Sequence, residues 1–151
     1  MPATYTAEKS LSRALRRVLD FDPDSGSAVL ATLNPAASEK FLSLTLGRRF
    51  VFGIMKSVGT GAISAVKVQA ATAADGTGAQ DIVSATPTTA DAVGDTVWYE
   101  VDAEQAKEVL AGATHVGLSI TLATSTDECV IYAEISEPVF PRTGLTANYI
   151  S

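Results

Sequence analysis

The side chains that could do chemistry are few. There is one histidine, His115, and one cysteine, Cys129, in 151 residues. One imidazole excludes a multi-histidine metal centre, and one thiol excludes an internal disulfide or a cysteine-rich zinc site. A Cys129–His115 nucleophile pair would need the two carrying segments to be hairpin neighbours, and no third group to orient the imidazole is identifiable. His115 opens an apolar alternating segment, HVGLSITL, and Cys129 alternates with apolar residues in ECVIYAEI. A half-buried strand histidine and a buried structural thiol are the plain readings. No GxSxG elbow occurs. Glu100 with Asp102, and Glu134 with Glu137, are paired carboxylates at strand ends. A sugar-cleaving site would surround such pairs with aromatics, and Trp98 is the only tryptophan. Gly59-Thr60-Gly61 and Gly76-Thr77-Gly78 lack the Lys-Ser/Thr of a phosphate loop and read as turns. The run DFDPDSG (20–26) lacks the length and closing glutamate of a calcium loop. The expectation is therefore no enzyme, no metal and no cofactor.

The remaining clusters are charges. Arg13, Arg16 and Arg17 form a basic group, and Arg48-Arg49 a second. Residues 1–67 carry nine basic and five acidic groups, net +4, which leaves −10 for the rest of a chain at −6 overall. With a pI near 4.6, the arginines point to an acidic protein surface rather than a phosphate backbone. No apolar run reaches the ~18 residues of a membrane span. The N-terminus MPATYTAEKS lacks the apolar core of a signal peptide. A soluble chain made inside the cell is expected.

Hydrophobic periodicity places these residues on elements. Residues 6–19 read as a helix: Thr6 caps it, the arginines come late, and Leu11, Leu15, Val18 and Leu19 recur at helical spacing. From Ser27 the period is two. Strand candidates are 28–33, 41–46, 49–55, 62–69, 80–85, 96–101, 115–122 and 128–135. Asp102 caps a short helix, AEQAKEVL, ending near Gly112. Eight strands between turn signals predict a mainly β fold, an eight-stranded jelly-roll-like β-sandwich with an N-terminal helix and one short inserted helix, with a β-barrel of the nucleic-acid-binding type as the rival. At 151 residues one core suffices, with roughly 68–70% of the unfolded surface buried. The expected organisation is a helical arm and turn (1–26), a sandwich body (27–137) and a C-terminal tail (138–151).

The stretch Val66–Ile82, VKVQAATAADGTGAQDI, resembles a segment of small virion proteins of tailed bacteriophages, the capsid decoration (cement or head-auxiliary) proteins. Lys67, Gln69, Ala70, Gly76, Gly78, Ala79, Asp81 and Ile82 fit that pattern. TVWYEVD, HVGLSITL, ECVIYAEI and Pro141-Arg142 follow in similar order, so the resemblance spans residues 49–142. It implies a β-sandwich on the outside of a protein shell, without catalytic residues. The expected partners are the major capsid protein and further copies of the chain, as a homotrimer, with no nucleic acid, membrane or small-molecule substrate. The expected location is the capsid surface of the virion, after synthesis in the host cytoplasm. A tail, neck or spike-base component is the alternative. Apolar or basic residues in the two ends are the expected contacts: Tyr5, Leu11, Arg13, Arg16, Arg17, Phe140, Arg142, Leu145 and Tyr149.

Overall fold

The computed structural model describes residues 15–21, 29–30, 40–87, 92–124 and 126–136, with 15–21 and 29–30 described as backbone. Among these residues the chain forms nine strands and one helix: β1 (Leu15–Phe21), β2 (Val29–Leu30), β3 (Phe41–Ser43), β4 (Arg49–Val58), β5 (Ile63–Ala71), β6 (Gln80–Ala85), β7 (Thr96–Asp102), α1 (Ala103–Val109), β8 (His115–Leu122) and β9 (Glu128–Ser136). They build two antiparallel sheets. One has the order β1-β9-β4-β7. The other has the order β2-β8-β5-β6, with β3 also paired to β8.

Period-two patterning explains the faces. Phe50, Phe52 and Ile54 of β4, Val101 of β7, and Cys129, Ile131, Ala133 and Ile135 of β9 are buried from the first sheet. Val66, Val68 and Ala70 of β5 and Val116, Leu118, Ile120 and Leu122 of β8 are buried from the second. All of them belong to one hydrophobic cluster, so the sheets face each other across a shared core. Burying one large aliphatic or aromatic side chain contributes roughly 1.5–3 kcal/mol. The core draws on both sheets, so neither is stable without the other. α1 closes one end through buried Ala103 and Ala106, and the Asp102 N–H donates to Gln105 Oε1 at 2.8 Å at its start.

The structure corrects two expectations and fails one condition set by the sequence. The helix expected over 6–19 is a strand from Leu15 onward: β1 pairs antiparallel with β9 along its whole length, from Leu15 opposite Ile135 to Phe21 opposite Cys129. Leu15, Leu19 and Phe21 also fit period two, and the edge of β9 offers a full ladder of backbone partners, which outweighs a narrow helical stripe. Residues 6–14 of that expected helix lie outside the described residues. The strand expected over 41–46 stops at Ser43, where Leu46 N–H turns back to the Ser43 carbonyl at 3.1 Å. Finally, β8 and β9 are not hairpin neighbours. The turn between them carries the chain from one sheet to the other.

Candidate functional site

That change of sheet separates the imidazole and thiol. His115 opens β8 and Cys129 lies just beyond its far end. From His115 to Leu122, the eight-residue strand β8 spans about 23 Å at ~3.3 Å per residue step. His115 Nδ1 meets the Thr114 hydroxyl at 2.7 Å. Cys129 is fully buried and lies opposite Phe21 and Lys56 in the register. The first carboxylate pair is held by a cation: Arg49 binds Glu100 at 3.2 Å and Asp102 at 3.4 Å, with all three half exposed. Glu134 lies opposite Val51 and Arg16, and Glu137 is outside the described residues.

Of the expected contact residues, Arg16 and Arg17 fall in β1, opposite Glu134 and Ala133. Their spacing is that of a strand and not of a helix face. Tyr5, Leu11, Arg13, Phe140, Arg142, Leu145 and Tyr149 lie outside the described residues.

The motif that carries the family resemblance folds into a single unit, the β5–β6 hairpin. Lys67 Nζ donates to Asp81 Oδ2 at 2.7 Å, and Gln69 Nε2 donates to Asp81 Oδ1 at 2.6 Å. These bonds hold the Asp81 carboxyl below the usual carboxylate range. In the connecting loop Gly76 and Gly78 take φ of 89° and 69°, which L side chains avoid. The Asp75 carboxylate accepts the Thr77 N–H at 2.8 Å. The motif thus specifies how one hairpin is tied and turned.

The outer face of the first sheet presents an aromatic pair. Trp98 of β7 and Tyr132 of β9 both lie opposite Gly53 of β4. Their ring centroids are 6.2 Å apart with planes tilted by 30°. A Cβ on Gly53 would fall 2.3 Å from Trp98 Cζ3, so the indole lies directly over the glycine. Trp98 remains 55% exposed. On the same face Met55 and Val130 follow in the next register row.

Sequence reasoning missed a buried ion pair. Lys56 continues the inward series Phe50, Phe52, Ile54 and is fully buried; Asp127 is 1% exposed. Lys56 Nζ lies 3.0 Å from Asp127 Oδ2 and also donates to the Gly61 carbonyl. Gly61 N–H donates to Asp127 Oδ1 at 3.3 Å. Burial pushes the Asp127 carboxyl up, but Lys56, the Thr124 hydroxyl and the Gly61 amide together outweigh it and hold the group below its usual range. The signal was present: a lysine in phase with three core residues requires an acid beside it. Gly59 and Gly61 are glycines because a Cβ on either would strike the Asp127 carboxylate, at 1.8 Å and 2.2 Å.

No protein-family model matches the chain, and no curated protein matches it. Among solved structures, the SPBc2 prophage-derived protein YomS is similar at 16% identity and a TM-score of 0.42, over 82% of this chain and 95% of that one. Among the described residues no helix is long and apolar enough to cross a membrane, and no three His, Cys, Asp or Glu side chains gather as metal ligands.

Proposed function

We propose that the chain is a structural virion protein of a tailed phage that binds the outside of the assembled capsid and stabilises it. The observation that carries this reading is that the segment resembling capsid decoration proteins, Val66–Ile82, falls within one element of the fold, the β5–β6 hairpin (Ile63–Ala85). The strand pairing supports it as well. β1 pairs with β9, β2 and β3 with β8, β4 with β7, and β5 with β6, a nested series from the ends of the chain inward. Wrapping that nested ribbon adds the β4–β9 and β5–β8 ladders. With β2 and β3 taken as two pieces of one broken strand, that nesting supports the reading of an eight-stranded jelly roll.

On this reading the protein catalyses nothing and takes no cofactor. It acts by mass action: binding only the assembled shell lowers the free energy of that state relative to its alternatives. A closed homotrimer suits threefold sites on a shell. Tyr5, Leu11, Arg13, Arg16, Arg17, Phe140, Arg142, Leu145 and Tyr149 are the proposed contacts. Trp98, Tyr132, Met55 and Arg49 on the first sheet are residue types that protein interfaces favour. The test mixes purified protein with undecorated shells. Co-sedimentation with a gain in heat resistance is expected, together with a trimeric native mass. Neither binding nor stabilisation would remove the proposal, and a hexamer or dodecamer at a single vertex would favour a neck or tail part.

A further inference from the structure

Of the ion pairs among the described residues, Lys56–Asp127 alone is dry on both sides; the others are a third or more exposed. We propose that this pair condenses into an intramolecular Lys56–Asp127 amide, a covalent cross-link from the end of β4 to the start of β9. The inference rests on core geometry and is independent of the capsid reading.

Three features favour the reaction. The reactants are held together: Nζ is 3.0 Å from Oδ2, and one residue, Gly61, binds both, its carbonyl accepting from Nζ and its N–H donating to Oδ1. Such fixed proximity replaces the entropic cost of a bimolecular encounter. The second feature is exclusion of water. In solution the ammonium and carboxylate are far more stable than amide plus water, because both ions are well hydrated. Burial leaves no bulk water beside the pair, so a product amide is not hydrolysed back. The third is that the oxygen where negative charge develops already has a donor, since Gly61 N–H points at Oδ1.

The step balances without any co-reactant. The Lys56 ammonium passes one proton to Oδ2, giving an amine and a carboxylic acid. The amine lone pair attacks Asp127 Cγ, forming the N–C bond, and charge develops on Oδ1 against the Gly61 amide. The nitrogen then gives up a second proton to the Oδ2 hydroxyl. The Cγ–Oδ2 bond breaks and Oδ2 leaves as water. Nothing is oxidised or reduced. Glycine at 59 and 61 preserves the arrangement, because a side chain at either position would displace the carboxyl.

Intact mass spectrometry of the full chain under denaturing conditions, after prolonged incubation at physiological temperature, tests this. The expected mass is about 18 Da below that of the sequence, one water, and digestion yields a branched peptide joining the Lys56 and Asp127 fragments. Asp127→Asn preserves the shape and expels ammonia instead, so its loss is about 17 Da. Lys56→Met remains at full mass. A wild-type chain that stays at full mass, or an 18 Da loss that persists in Lys56→Met, overturns the proposal. If neither variant folds, peptide mapping of the wild type alone decides it.

Discussion

Replacing Asp127 by alanine leaves Lys56 in place, an ammonium group at zero exposure with the Gly61 carbonyl as its remaining partner among the described residues. An exposed ion pair contributes about 0–1 kcal/mol. Removing one partner of a buried pair costs about 3–5 kcal/mol, because the other charge stays desolvated. For a chain of this size, where 1 kcal/mol moves Tm by roughly 2–4 °C, Asp127→Ala should lower Tm by about 6–20 °C. Lys56→Met should also destabilise, since it leaves the Asp127 carboxyl buried without its cation. The double variant should be less damaged than the two costs added, by about 1–3 kcal/mol. Urea unfolding at constant m on chains shown by mass to be unlinked measures all three. A cost for Asp127→Ala under about 1 kcal/mol, or simple additivity, would refute the reasoning. The pH dependence gives a second reading. Asp127 is held below its unfolded value, so its contribution is complete above the unfolded carboxylate pKa of about 3.9 and disappears as pH falls through the folded value. Unlinked wild type should lose stability below about pH 4, and Asp127→Ala should lack that component.

Other outcomes follow from the same packing. Gly59 and Gly94 both hold φ above 90°, but Gly94 has open space around it while Gly59 abuts Asp127. Gly94→Ala should cost about 1–2 kcal/mol in backbone strain, and Gly59→Ala clearly more, both read from urea midpoints. Cys129 is fully buried, so a thiol reagent should modify it only at the rate of global unfolding; fast labelling of the native chain would contradict its placement. Gly53→Val should lift the Trp98 indole from the sheet and weaken its near-ultraviolet circular dichroism, at a stability cost under about 3 kcal/mol because the ring can move into solvent. An unchanged spectrum would place the ring elsewhere.

The sequence alone was enough for the strand-rich class, because alternation such as Val116, Leu118, Ile120 and Leu122 is a local property of a half-buried sheet. It also located the capped helix after Asp102 and the glycine turns, whose chemistry acts over a few residues. Pairing between distant strands was not legible. Leu15–Phe21 satisfies both a helical and a strand period, and the free edge of β9 decided between them. His115 and Cys129 are close in sequence, yet the crossing between sheets sets them a strand's length apart. Lys56 and Asp127 are distant in sequence, and only the β4–β9 register brings that acid to the lysine in the core. Local periodicity determines which face of an element is apolar. Which partner that face or edge meets is a long-range competition, settled only when the whole core closes.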